Sequence, residues 1–303
     1  MTVFIVDETS AGKRLDVFLT GINPKLSRSK IQDYIKNGLV KVNKVCPKPS
    51  YEIKENDCIV FEAPEVQNFQ IIPEKIELEV VWEDENMLVI NKPSGMLTHP
   101  TPQELSGTLV NALMYRCGDN LSDINGDFRR GIVHRLDRNT SGLLMIAKNN
   151  KTHEFLAEQI KNREITKKYR AILNGSYKEN METINLPISR HPKIPYKMAI
   201  SPDGKESITV LEVKERFKDT TVVELTLITG RTHQIRVHTS YKKHPVYNDT
   251  LYGGTGKIAT DEQVLQSFYL KFKKPFTQEY IELEIPPDDK FNKVYNYLKN
   301  RRI

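Results

Sequence analysis

The chain has 303 residues, of which 38% are hydrophobic and 28% charged, with a formal net charge of +6; it is long enough to bury a sizeable core, as one large α/β domain with an appendage. No stretch approaches the roughly 18 apolar residues of a membrane span, and MTVFIVDETSAGKR lacks the basic leader, apolar block and cleavage site of an exported chain, so a cytoplasmic protein is expected. The three cysteines, Cys46, Cys58 and Cys117, are odd in number and far apart, which excludes a disulfide framework and a CxxC zinc half-site; each is expected to be a small buried hydrophobe.

The first module is expected over residues 12–63. Leu15, Phe18, Leu19 and Ile22 have helical spacing, giving a first short helix. Ser27 stands where an N-cap belongs, Ile31, Tyr34 and Ile35 form one apolar stripe, and Gly38 ends the second helix at its C′ position. LVKVN and CIVF follow as short strands. Residues 13–50 carry nine Lys/Arg (Lys13, Arg14, Lys25, Arg28, Lys30, Lys36, Lys41, Lys44, Lys48) against Asp16 and Asp33, so the basic character of the chain is a local patch of the kind that binds a polyanion. A helix pair with a small sheet is marginal as a core and suits a tethered binding unit. PEVQNFQIIPEK, residues 64–75, has two prolines and no period, and is the expected linker.

A second domain is expected over 76–303. VVWEDENMLVINK reads as two strands about the Asp84-Glu85-Asn86 turn, KPSG (92–95) as a turn, and Thr108 to Tyr115 as a helix. Ile132-Val133 and Leu143–Ala147 read as strand ends, with Thr152 capping a helix through Phe155, Leu156 and Ile160. KKYRAILNG is a strand, TTVVELTLITG (220–230) alternates, with Val223, Leu225 and Leu227 on one face, and DDKFNKVYNYLKNRR is an amphipathic last helix. Strands outnumber helices without regular βαβ alternation or repeats, so an α+β fold with a mixed, largely antiparallel sheet is expected, beside a small N-terminal α/β module.

Three stretches carry chemistry. In GIVHRLDRNTSGLL, Asp137 lies among Arg135 and Arg138 at the end of an apolar run. Poor solvation raises a carboxyl pKa and a neighbouring guanidinium lowers it, so such an Asp can be a nucleophile or base; alternatively Asp137, Asn139, Thr140 and Ser141 build a capped turn ended by Gly142. GRTHQIRVH groups Arg231, His233 and Arg236 as polyanion ligands, with Thr232 able to cap a helix whose N-terminus faces phosphate. A metal on His134, His233, His238 and Asp137 is disfavoured, since neither HxxD nor HxxxxH is a recognised ligand pair, and a serine hydrolase lacks its GxSxG. KKYRAILNG sets Tyr169 among Lys167, Lys168 and Arg170, as a functional ring or as a strand tyrosine at the core edge.

GIVHRLDRNTSGLLMIAK, KKYRAILNG and GRTHQIRVH, with VINKPSGMLTHP (89–100), LPISRHP (186–192) and HPVYNDTLYGG (244–254) around them, resemble the successive motifs of the RluA/RluD family of RNA pseudouridine synthases. RLDVFL and LSRSKIQDYIKNGLVKVNKV resemble an S4-type RNA-binding domain. The resemblance covers nearly the whole chain and implies a pseudouridine synthase fold. It makes Asp137 the catalytic aspartate, Tyr169 the tyrosine that packs on the target base, Arg236 the arginine paired with the aspartate, and Arg135 the residue that fills the space of the flipped base. His134 and Arg231 join the RNA contacts, as do Arg14, Arg28, Ser29 and Lys30 of the S4-like module. Asn248 stands where the family usually has Gly, a position at which Asn tolerates positive φ, and Ser207 and Ile208 stand where smaller residues are commoner.

The implied reaction isomerises uridine: N1–C1′ breaks, the uracil rotates, and C5 bonds to C1′. Asp137 attacks C1′ or removes a ribose proton. Glycoside hydrolysis uses two carboxylates; here the base never leaves and water is excluded, so one carboxylate suffices, with no cofactor and no metal. The expected partner is RNA, foremost large-subunit ribosomal RNA, with transfer RNA as the alternative substrate and a non-catalytic RNA-binding or ribosome-assembly protein as the alternative function; a monomer off the membrane is expected. Because the basic patch would act by neutralising phosphates, log affinity for RNA should fall against log salt with a slope of about −0.7 to −0.9 per phosphate contacted. Filter binding between 50 and 200 mM salt, roughly the range over which such contacts weaken, checks this, and a flat plot would overturn it.

Overall fold

Apolar runs without alternation, such as MLVI and LLMIA, have no polar side to show to water, and the chain buries them by covering a sheet on both faces. The computed structural model describes residues 1–24, 26–62, 70–258, 260 and 262–301, in two compact units, 1–69 and 70–303.

In the first unit, β1 (Thr2–Ile5), β2 (Val40–Val42) and β3 (Cys58–Phe61) form a sheet in the order β1-β3-β2, antiparallel throughout. The helices α1 (Leu15–Ile22) and α2 (Arg28–Lys36) pack on it through Leu15, Leu19, Ile31 and Ile35. Ser27 caps α2 by accepting from the Lys30 N–H, and Gly38 follows its end with φ 76°. Strand β1 precedes the module expected from residue 12, because its pairing partner β3 lies more than fifty positions downstream. Of the cysteines, Cys46 is exposed and Cys58 and Cys117 are half-buried, so none is the buried hydrophobe expected.

Of the expected linker 64–75, residues 64–69 lie outside the described residues. The remaining stretch is fastened to the second unit: Ile71 is buried in its core, and the Glu74 N–H donates to the Asn111 carbonyl.

The second unit contains β4 (Glu79–Glu83), β5 (Met87–Lys92), α3 (Leu109–Cys117), β6 (Ser141–Ala147), α4 (Asn150–Lys161), β7 (Thr166–Asn174), β8 (Met181–Asn185), β9 (Ile188–Arg190), β10 (Met198–Ile200), β11 (Ile208–Arg216), β12 (Thr220–Leu227), α5 (Gln234–Tyr241), β13 (Leu265–Lys273), β14 (Tyr280–Glu284) and α6 (Asp289–Asn300). The large sheet runs β4-β5-β6-β13-β7-β12-β11-β8, with β14 also on β13; β9 and β10 form a separate hairpin. Every pairing in the large sheet is antiparallel except β6 with β13, giving the mixed α+β architecture. Alternate residues of β5 and β6 divide between two cores. Leu88, Ile90, Leu144 and Ile146 meet α3 on one face, and Met87, Val89, Leu143 and Met145 meet Leu156 of α4 on the other, which is why both strands read as continuous apolar runs.

Caps follow local chemistry. Thr108 and Asn111 form a capping box on α3. The cap of α4 is Asn149 and not Thr152, whose N–H is the group Asn149 accepts from; either residue can cap, and the helix extends three positions further back than its apolar stripe indicates. Among the described residues no helix is long and apolar enough to cross a membrane.

At the parallel contact between β6 and β13 the two backbones approach closely. Gly142 pairs with Ser267 at φ 114°, and a Cβ there would lie 2.0 Å from the Ser267 carbonyl oxygen. Gly142→Ala combines a backbone clash with a left-handed conformation and should cost more than about 3 kcal/mol, which urea denaturation would register as a large fall in midpoint or as failure to fold.

Candidate active site

Three segments converge where β6 begins. The loop 131–140 leads into β6, β7 carries Tyr169, and the turn after β12 starts α5. Register aligns them: Ser141 pairs with Gln266, and Ser267 pairs with Tyr169. They enclose a cavity of about 460 Å³ lined by Asp137, Tyr169, Leu227, Arg231, His233 and Arg236.

Asp137 is not a turn cap. The turn is closed by backbone, the Thr140 N–H donating to the Asp137 carbonyl, while among the described residues the carboxylate accepts a hydrogen bond only from Arg236, Nη1 to Oδ2 at 3.1 Å. The Asp137 side chain is 17% exposed. Its Oδ1 accepts no hydrogen bond among the described residues and is open to a ligand.

Its loop is fastened at successive carbonyls. Thr98 Oγ1 donates to Leu136 O. Fully buried Lys92 donates from Nζ to the carbonyls of Pro93, Met96 and Arg138. Ser94 and Lys290 both donate to Asn139 O, and the Ser141 hydroxyl donates to Asp288, which caps α6. Burial pushes the Lys92 ammonium down to about 7, with the Asp137 charge opposing and the nearby Lys290 and Arg138 adding to the fall.

Arg236 is the hinge of the charges. Its Nε and Nη2 donate to the two oxygens of Asp249 at 2.6 and 2.8 Å, and its Nη1 to Asp137. Asp249 is fully buried and Arg236 nearly so. Burial alone would discourage the guanidinium charge, but the bonds and charge of Asp249, joined by Asp137, raise its pKa above the ordinary arginine value. A planar fork satisfies one carboxylate bidentately and leaves a nitrogen for the second. Asp249 was no candidate on sequence grounds; its signal is its place beside Asn248, which adopts φ 61° as expected.

His233 begins α5 as its N-cap with φ 56°, in place of Thr232. A left-handed residue turns the chain sharply out of β12, and the Gln234 side chain secures the turn by accepting from Thr229 Oγ1 and the Arg231 N–H. The His233 Nε2 lies 3.8 Å from Asp137 Oδ2, and its Nδ1 2.9 Å from the Tyr252 hydroxyl. Burial lowers its pKa, with Asp137 opposing. His134 lines the cavity but faces inward, its Nε2 accepting the Met145 N–H, and burial pushes it down to about 3. A neutral, engaged ring is a pin for the loop and no counterion for phosphate. His238 is buried against Thr209 and Leu186 O. Among the described residues no group of three or more His, Cys, Asp or Glu is arranged to hold a metal ion.

The basic cluster about Tyr169 is split by strand alternation. Lys168 and Arg170 lie over Tyr269 and Phe268, whereas Lys167 shares the cavity with Tyr169. Lys167 has no hydrogen bond or ion pair among the described residues, and burial lowers its pKa. Tyr169 is buried, and desolvation, partly offset by Ser267, pushes its hydroxyl up to about 12. Arg135 is exposed at the cavity rim, and Arg231 reaches Glu206 O at 3.0 Å.

In the first unit, Arg14 and Arg28 both bind Asp16, which is fully buried, and Gln32 adds a third donor to it. These donors, led by Arg14 and working against burial, depress the Asp16 carboxyl. Both guanidinium groups remain half exposed, held by an internal anion with their outer edges in water. Ser29 is exposed, and the ammonium of Lys30 stands 5.2 Å above the Tyr34 ring.

Residues 86–241 match the family model described as RNA pseudouridylate synthase, and residues 13–59 match the S4 domain. An uncharacterised RNA pseudouridine synthase of Bacillus subtilis is 43% identical over 294 residues, 97% of either chain. The ribosomal large subunit pseudouridine synthase D of Zymomonas mobilis is 37% identical over 295 residues, 93% of either chain. Among solved structures, human RNA pseudouridylate synthase domain containing 1 superposes with a TM-score of 0.56 at 26% identity, over 75% of this chain and 96% of its own.

Arg236→Met strands two carboxylates, one of them fully buried, and should cost about 3–5 kcal/mol. Arg236→Lys should recover little, since an ammonium cannot reproduce the fork. Urea denaturation of the three proteins at neutral pH checks both expectations.

Proposed function

The chain belongs to the RNA pseudouridylate synthase family, isomerases that act on uridine in RNA, and on that premise we propose that it isomerises uridines of large-subunit ribosomal RNA, with Asp137 as the catalytic group. The observation that carries the reading is the free Oδ1 of Asp137, held by Arg236 at the mouth of a cavity walled by Tyr169.

A uridine in a stacked helix hides C1′ and C5, so it must be flipped out at a cost of a few kcal/mol. Tyr169 offers its ring to the extruded uracil, a stacking contact worth about 1–3 kcal/mol, and exposed Arg135 stands at the rim where the vacated space would be filled. With C1′ at Oδ1, Asp137 opens the reaction while Arg236 keeps the carboxylate charged and aimed. The N1–C1′ bond breaks, the uracil turns between Tyr169 and the apolar wall of Leu227 and Leu265, and C5 bonds to C1′. The C5 proton leaves to solvent and N1 acquires one, so atoms balance without a cofactor. Burial of the walls keeps out the water that would otherwise trap the sugar.

The choice of ribosomal RNA is supported by the relative whose name specifies the large subunit and by the S4 domain with its half-exposed Arg14 and Arg28. We assign Arg14, Arg28, Ser29 and Lys30 to phosphate contacts, which position without reading sequence. We also propose that the enzyme acts as a monomer in the cytoplasm.

Tritium release from large-subunit ribosomal RNA labelled at uridine C5 tests the assignment, since C5 loses its hydrogen only on becoming the glycosidic carbon. The wild type should release tritium, and Asp137→Asn should release none while binding RNA equally well. Binding by both proteins without release from ribosomal or transfer RNA would favour a non-catalytic RNA-binding protein.

A further inference from the structure

A second cavity, of about 500 Å³, meets the first at Asp137. Arg135, Asp137, His233 and Arg236 line both, Tyr169 lines only the first, and Tyr196 only the second. We propose that this second cavity holds the base of a nucleotide next to the target uridine, and that Tyr196 is the platform on which that base stacks. The proposal rests on the reading of Asp137 given above.

If C1′ of the target stands at Asp137 with its uracil against Tyr169, the sugar–phosphate chain has to leave by the other side of the carboxylate, and the second cavity opens there. Its wall is suited to a nucleotide. Asn139 and Thr250 present polar atoms, Leu97 and Leu251 apolar surface, and Arg135 positive charge, while Arg138 is paired with Glu104 and Glu262 stands on the same wall.

Tyr196 is 72% exposed and has no hydrogen bond or ring partner among the described residues. A single exposed aromatic is ordinary, but the loop that carries this one is hydrogen-bonded within itself and tied to the active site. Arg190 Nη1 donates to the Pro195 carbonyl at 2.8 Å, and the His191 Nδ1 accepts from the N–H groups of Lys193 and Ile194. At the loop's end the Met198 N–H donates to the Tyr252 hydroxyl at 2.9 Å. The Tyr252 ring stands edge-on to His233 and faces the Arg236 guanidinium at 5.1 Å. The backbone that carries Tyr196 is thus tied, through Met198 and Tyr252, to the residues that hold Asp137.

Charge supports the same occupant. Residues 188–200, ISRHPKIPYKMAI, contain Arg190, Lys193 and Lys197 and no acid. An aromatic face beside a row of cations is the arrangement that receives single-stranded nucleic acid, stacking on the base while the cations follow the backbone.

The test compares wild type, Tyr196→Phe and Tyr196→Ala by tritium release from C5-labelled large-subunit ribosomal RNA, with thermal melting of each protein. Tyr196→Ala should lose about tenfold in kcat/KM, the scale of one base–aromatic stack, with its melting temperature unchanged, and Tyr196→Phe should keep the wild-type rate. On a fragment bearing a mapped target, an abasic site at one neighbouring position should lower the wild type to the level of Tyr196→Ala and leave that variant unaffected. Equal rates for all three proteins, equal losses in Phe and Ala, or an abasic effect undiminished in Tyr196→Ala would overturn the stacking role. A wild type that releases no tritium would overturn the isomerase reading and this proposal with it.

Discussion

The site depends on one buried guanidinium shared by two carboxylates. Removing a charge from water costs several kcal/mol even after relaxation, and Arg236 meets that cost through the bidentate bond to Asp249 before it touches Asp137 at all. Asp249 therefore fixes the plane of the fork, and the remaining nitrogen is aimed as a consequence. Its own position is set by a tight loop. The Asp249 N–H donates to Val246 O, the Gly254 N–H donates back to Asp249 O, and a Cβ on Gly254 would lie 1.9 Å from Val246 O. The order of dependence runs from loop backbone to Asp249, to Arg236, to Asp137.

The second requirement is that Asp137 stay where Arg236 points. A loop of ten residues has the freedom to turn a carboxylate away, and here that freedom is removed at almost every carbonyl from Leu136 to Asn139, by donors from the β5–α3 segment and from α6. Preorganisation of this kind lets a group act without reorganising during the reaction. It also explains why a lysine is tolerated at a fully buried position: Lys92 directs its three donors to three carbonyls, and its lowered affinity for a proton reflects desolvation only partly offset by the Asp137 charge.

The sheet supplies the geometry between these parts. The close approach at Gly142 brings the start of β6 beside β13, and β13 carries the alignment on to Tyr169 in β7. Because side chains alternate, Lys167 and Tyr169 face the cavity while Lys168 and Arg170 cover aromatic rings on the opposite face. A cluster of like residues along the chain becomes two unlike surfaces.

Much was legible in the residues alone. Periodicity and caps identified α1, α2, α3 and the last helix, since 3.6-residue spacing and an N-cap act over one or two turns. Motif order marked Asp137, Tyr169 and Arg236, which the fold does bring to one cavity. What sequence could not supply were the relations made by distant segments. Asp249 as anchor of Arg236, Asp16 as the anion that tethers Arg14 and Arg28, the inward turn of His134 and the clamp of Lys92 all join residues through space. Local spacing also misjudged the cap of α4, the burial of Cys46 and the reach of the N-terminal sheet, because the deciding partner in each case is either a competing neighbour or a strand far along the chain. Short-range chemistry determined most of the elements, and the order of the motifs singled out the candidate site residues. Only the tertiary structure decided which charges are paired, which are buried, and which single oxygen of Asp137 is left open, because those are properties of packing and not of order along the chain.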